Sequence, residues 1–200
     1  MMDVWLGISK SPKKSLMKAI ELCKKAISMD DSLSADGLLG FLYVQVREYE
    51  KGIAAGEKAI EKGPNSADAH SFFAQVLNYS GRPEEAIAHN EKAFRLNPLG
   101  HPTYYYVHAS TSYLLTGRYE DTVKVIKEGL TRWPNNVTAH ARLVMAYSAL
   151  GRDEEARAVA QELLRIDPKF SAQRLARRMT FKDPAISAQL LELMRKAGLK

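Results

Sequence analysis

Cysteine is almost missing from this 200-residue chain; Cys23 stands alone, so no internal disulfide can form. Its place on a helical stripe makes it a small core residue rather than a nucleophile. Long apolar runs are also missing. The uncharged stretches are too short and too polar to span a bilayer. The lysines of MMDVWLGISKSPKK follow the apolar stretch instead of preceding it, an order wrong for a secretory signal. A soluble, cytoplasmic chain is therefore expected. Glycine (12) and proline (8) are too few for a low-complexity chain. No phosphate loop, nucleophile elbow or metal motif occurs. Five histidines (His70, His89, His101, His108 and His140) show no zinc-like pairing within one helix turn and read as packing residues. No cofactor, metal or catalytic role is expected.

One-sided charge is missing from most of the chain. The formal net charge is +6, yet eight of the 29 basic residues and only two of the 23 acidic ones lie in 169–200, leaving 21 of each before them. A balanced body lacks the basic stripe that phosphate-backbone binding needs, so nucleic acid is not the expected partner. The alternative is an adaptor for an anionic surface or nucleic acid acting through the basic segment 169–200, with Arg174, Arg177 and Arg178 as its patch. One turn of a solvated helix would give the same pattern, as would Lys10, Lys13, Lys14, Lys18, Lys24 and Lys25.

What is present is a period. Pro64, Pro98, Pro134 and Pro168 are spaced 34, 36 and 34 apart, and Gly81, Gly117 and Gly151 are spaced 36 and 34 apart. Both series place one two-residue insertion near Gly100–Pro102. Ahead of each proline, small residues recur at steps of four and three: Gly52, Gly56, Ala59; Ala86, Asn90, Ala93; Thr122, Ile126, Gly129; Ala156, Ala160, Leu163. Ala19, Cys23, Ala26 and Asp31 form an earlier copy. That spacing puts each set on one helix face, where small side chains let helix backbones approach. A first helix precedes each of the last four copies and ends at Arg47, Gly81, Gly117 or Gly151, the usual left-handed cap position. Carboxylates or proline then open the second helix.

A helix, a tight turn, a second helix and a short linker at this period resemble the tetratricopeptide repeat. The resemblance covers about 15–168. It implies an all-α, right-handed α-solenoid of antiparallel helix pairs, with repeats at 15–33 (partial), 34–66, 67–100, 103–136 and 137–168. No copy carries the early tryptophan of some relatives; Asp36, His70, Tyr106 and His140 stand there. Residues 1–14 form at best a truncated first helix. The chain is thus expected to be cut from something longer, or to self-associate through that end.

Residues 169–200 are expected to cap the stack. Phe170–Met179 reads as a helix continuing it, and Asp183-Pro184 opens a second, amphipathic helix with Ile186, Leu190, Leu193 and Met194 on one stripe. Phe181-Lys182-Asp183-Pro184, with the ending Arg195-Lys196-Ala197-Gly198-Leu199, resembles the tail of repeat arrays attached to bacterial class III adenylate cyclases and related transcriptional regulators. This implies a regulatory or docking part of a signalling protein, without cyclase chemistry in this chain.

In such an architecture the first helices line a concave groove. The stripe facing it by spacing holds Gly37, Phe41, Val44; Ser71, Gln75, Asn78; Val107, Thr111, Leu114; and Ala141, Met145, Ser148, with Tyr104 at its edge and Arg142 also counted among the groove residues. Small, apolar and amide residues with few charges suit a peptide or protein segment held by apolar contacts and a few hydrogen bonds. They do not suit the carboxylate clamp of some relatives. A protein-interaction scaffold is the expected function.

Overall fold

The computed structural model describes residues 11–30, 33–98 and 100–200. The truncated helix expected over 1–14 lies mostly outside them, and Pro12–Lys14 already belong to the first described helix. Among the described residues there are eleven helices and no strand: α1 (Pro12–Asp30), α2 (Leu33–Gln45), α3 (Tyr49–Lys62), α4 (Ala67–Tyr79), α5 (Pro83–Leu96), α6 (Thr103–Leu115), α7 (Tyr119–Arg132), α8 (Val137–Ala149), α9 (Asp153–Ile166), α10 (Ala172–Arg178) and α11 (Pro184–Lys196). None is long and apolar enough to cross a membrane.

The helices pair as α2–α3, α4–α5, α6–α7 and α8–α9, with α1 packed on α2. The first members also pack on one another in sequence, giving an inner layer. The chain is an α-solenoid. Local chemistry sets its joints. Ser66 accepts the Ala69 amide at 3.2 Å and Asn136 accepts the Ala139 amide at 2.8 Å, each satisfying a free N–H at a helix start. Glu84 and Glu85, Glu120 and Asp121, and Asp153, Glu154 and Glu155 sit in the first turns of outer helices, against the positive end of the helix dipole.

The turns within the pairs are near copies. Gly81, Gly117 and Gly151 take φ of 85°, 73° and 73°, and Arg47 takes 65° at the equivalent place. In every pair the next amide reaches back to close the helix: Glu48, Arg82, Arg118 and Arg152 donate to Tyr43, Leu77, Tyr113 and Tyr147 carbonyls at 2.8–2.9 Å. Between pairs, small residues set the helix spacing. Ala59, Ala86, Ala156 and Leu163 are at most 1% exposed. At Gly56 a Cβ would stand 2.3 Å from Phe73 Cδ2, so the α3–α4 contact requires glycine there.

Past α9 the chain does more than close the end of the stack. The helix α10 is seven residues long, and α11 packs on both α10 and α8. The linker between them runs back to the first two full pairs. Thr180 Oγ1 donates to the Val44 carbonyl at 3.0 Å, the Lys182 amide donates to the Tyr79 carbonyl at 2.8 Å, and Tyr49 donates its hydroxyl to the Thr180 and Phe181 carbonyls at 3.1 and 3.2 Å. Phe181, 1% exposed, stacks on Tyr79 with centroids 4.7 Å apart. From there α11 returns along the C-terminal ends of the inner helices to the last pair, where Lys196 pairs with Asp153 of α9 at 2.9 Å. The Ala172 amide then donates to the Lys200 carbonyl, tying the tail to α10.

Candidate functional site

The expected stripe lies on the inner helices α2, α4, α6 and α8. Phe41, Val44, Ser71, Gln75, Asn78, Thr111, Leu114, Arg142, Met145 and Ser148 are all buried, none more than 5% exposed, and Tyr104 is half-buried. A stripe open to water was expected. The wall instead shares one core with the tail, which includes Val44, Tyr79, Leu114 and Met145 together with Met179, Phe181, Leu190 and Met194. The physical reason is in the stripe itself. Phe41, Val44, Leu114 and Met145 present more apolar surface than a solvated face carries, and they pack into that core, Phe41 against Phe72 and Tyr79 and Val44 toward Gly52.

Polar residues of the wall divide into two kinds. Some are satisfied within it. Asn78 Nδ2 donates to Gln75 Oε1 and to the His108 carbonyl, both at 3.2 Å, and Thr111 Oγ1 donates to the Val107 carbonyl at 2.9 Å. Ser71 Oγ meets His108 Nδ1 at 2.9 Å, and burial pushes that histidine down to about 3, so it is neutral. Others are buried with no hydrogen-bond partner among the described residues: Asn78 Oδ1, Ser80 Oγ, Arg142 Nε and Ser148 Oγ. Arg142 is 3% exposed, and its one polar contact is Nη1 to Met145 Sδ at 3.7 Å. Burial disfavours its charge, and the nearby Tyr79 hydroxyl opposes that shift. A cleft of about 430 Å³ runs between α11 and the wall, lined by Asn78, Leu114, Tyr119, Ile186, Leu190 and Leu193 among others.

The other residues singled out in the sequence have structural partners. His70 and His89 face each other through Nδ1 at 2.8 Å, and His70 Nε2 meets the Pro64 carbonyl at 3.0 Å. His140 Nδ1 meets the Asn136 carbonyl at 3.0 Å. Tyr104 and Tyr105 both donate to Asp68 Oδ1, at 2.6 and 2.7 Å. Arg174, Arg177 and Arg178 occupy α10, where Arg174 Nη2 donates to the Lys169 carbonyl and Arg178 is partly buried beside Arg174. Residue reasoning missed Tyr49, Tyr79, Thr180 and Phe181, the grips that hold the tail. Phe181 stood within a noted string, but nothing local said where its ring would land.

Two family models described as tetratricopeptide repeat match this chain, over residues 38–101 and 113–179. The TPR repeat-containing protein YpiA of Bacillus subtilis (strain 168) is 29% identical over 140 residues, 70% of this chain but 30% of YpiA, so the chain spans less than a third of that relative. The solved structure of PilW, a widely conserved type IV pilus biogenesis factor, superposes with a TM-score of 0.71 at 15% identity, covering 98% of this chain and 89% of PilW. The structure of YrrB, described as a TPR protein with an unusual peptide-binding site, superposes at 0.58 with 20% identity, covering 89% of this chain and 91% of YrrB.

Proposed function

Because the chain carries tetratricopeptide repeats over most of its length, we propose that it is a protein-interaction scaffold whose inner wall docks a segment of a partner protein. The observation that carries this reading is the wall's behaviour toward the chain's own tail. It holds an extended stretch through the Val44 and Tyr79 carbonyls and the Tyr49 hydroxyl, and a following helix through apolar contacts. Backbone bonds with a buried aromatic anchor are what a peptide groove supplies. YrrB, with the same fold, is described as having an unusual peptide-binding site. The docking residues in this reading are Phe41, Val44, Ser71, Gln75, Asn78, Tyr104, Thr111, Leu114, Arg142, Met145 and Ser148.

The test uses nuclear magnetic resonance on the full chain and its Phe181→Ala variant, titrated with candidate partner segments. Shift changes should cluster on α2, α4, α6 and α8, and grow in the variant. Changes confined to α3, α5, α7 and α9, or none with the tail loosened, would refute it.

The wider setting we infer is a cytoplasmic regulatory region of a bacterial signalling protein, on the resemblance of Phe181–Leu199 to arrays that follow cyclase or transcription-activator domains. The reading frame upstream of Met1 tests it; a frame encoding neither kind of domain removes the support. Self-association through α1 is favoured by exposed Met17, Leu22 and Met29. Light scattering that stays monomeric across concentrations would exclude it.

A further inference from the structure

We propose that the partner segment taken by the inner wall is acidic, and that one of its carboxylates pairs with Arg142 once the chain's own segment 179–200 has been lifted away. This rests on the docking reading above and adds the partner's chemistry and the gate.

A buried guanidinium is costly unless it is paired, so proteins almost always give it a carboxylate or a full set of acceptors. Arg142 has neither. No ion pair reaches it among the described residues, and Nε has no acceptor. Other polar atoms of the wall are idle as well. Ser80 Oγ and Ser148 Oγ, hydroxyls that can donate or accept, and Asn78 Oδ1 are buried without partners toward the C-terminal ends of inner helices. A buried cation with no counterion is a demand for an anionic acceptor.

The tail does not meet that demand. Its two acidic side chains are engaged elsewhere: Asp183 caps α11 by accepting the Ala185 amide at 2.8 Å, and Glu192 pairs with Arg195 at 2.7 Å. The rest of its charge is positive, in Lys182, Arg195, Lys196 and Lys200. The tail therefore adds to the wall's apolar core and leaves Arg142 without a counterion. Its ends are fastened by the exposed pairs Lys182–Glu50 and Lys196–Asp153, the kind that contributes little in water. The open cleft beside Leu190 and Leu193 shows that the seam with the wall is incomplete. A segment bringing apolar side chains and a carboxylate would satisfy both the core and Arg142.

The test uses two fluorescein-labelled amphipathic peptides with identical apolar positions, one carrying glutamate and the other lysine at every polar position. Anisotropy is read with the full chain, Phe181→Ala, and Phe181→Ala combined with Arg142→Met or Arg142→Lys. The glutamate peptide should bind Phe181→Ala about tenfold more tightly than wild type. Arg142→Met should cost about tenfold of that affinity, and Arg142→Lys should keep part of it. In wild type, the glutamate peptide should speed amide exchange across α11. Equal binding of both peptides on the inner helices, or indifference to Arg142→Met, would overturn the acidic assignment and leave the docking reading standing. Binding of neither peptide with the tail loosened would overturn both.

Discussion

Phe181→Ala is the substitution that bears most on how the tail is held. The ring is 1% exposed and stacks on Tyr79 at 4.7 Å with 23° between planes. Removing a buried phenylalanine ring costs about 3–5 kcal/mol, of which the stacked aromatic pair accounts for about 0.5–1.5. Where that loss shows depends on how the segment is joined to the rest. Residues 179–200 reach the first full pair through a handful of long-range hydrogen bonds, whereas the inner helices pack along their lengths on neighbours at both sides. The tail should therefore open before the array does. A loss of about 3 kcal/mol corresponds to exchange more than a hundredfold faster for the amides of α11. Amides in the middle of α4, α6 and α8 should change by far less. Hydrogen exchange resolved by residue reads both. The reasoning fails if α11 keeps its protection, or if protection falls equally everywhere, since the tail would then unfold only with the whole molecule.

The remaining predictions follow from single contacts. Arg47 is a non-glycine residue at φ 65° where three other pairs use glycine, so Arg47→Gly should stabilise by about 0.5–1 kcal/mol in urea unfolding. Gly56→Ala should destabilise by about 1–3 kcal/mol, because its methyl would meet Phe73. His108 titrates at about 3 when folded, below its unfolded value near 6.5, so it supports the fold fully above 6.5 and progressively less as pH falls toward 3. Stability should drop by about 2 kcal/mol from this group between pH 7 and pH 5, and His108→Gln should flatten that slope. Arg142→Met should leave stability unchanged or raise it by about 1–4 kcal/mol, since it removes a buried charge that has no counterion; a large loss would mean that the guanidinium is already satisfied.

The solenoid was legible because its signals are local and repeated. Proline and glycine spacing gave the helix ends, and the four-three rhythm of small residues gave the packing faces. Arg47 could be placed at a cap position without glycine, because the neighbouring copies supplied the register. The inner stripe was assigned to α2, α4, α6 and α8 for the same reason. What covers the wall was not legible. An amphipathic helix such as Pro184–Lys196 shows that it will bury Ile186, Leu190, Leu193 and Met194, not which surface receives them. The end of the stack and the inner wall both offered apolar surface. The deciding clue lay in the wall: Phe41, Val44, Leu114 and Met145 are too many large apolar residues for a stripe left in water. Arg142 was counted among the groove residues, but its lack of a partner depends on contacts between helices distant in sequence, which periodicity does not report.

The account turns on the tail lying against the inner helices. Nuclear Overhauser contacts between the Phe181 and Tyr79 ring protons measure this directly in the full chain. Rings stacked 4.7 Å apart should give strong cross-peaks that disappear in Phe181→Ala. A Phe181 ring with contacts only to its own neighbours in sequence, and sharp, solvent-averaged lines for residues 179–200, would mean that the wall stands open and that the tail is not its occupant.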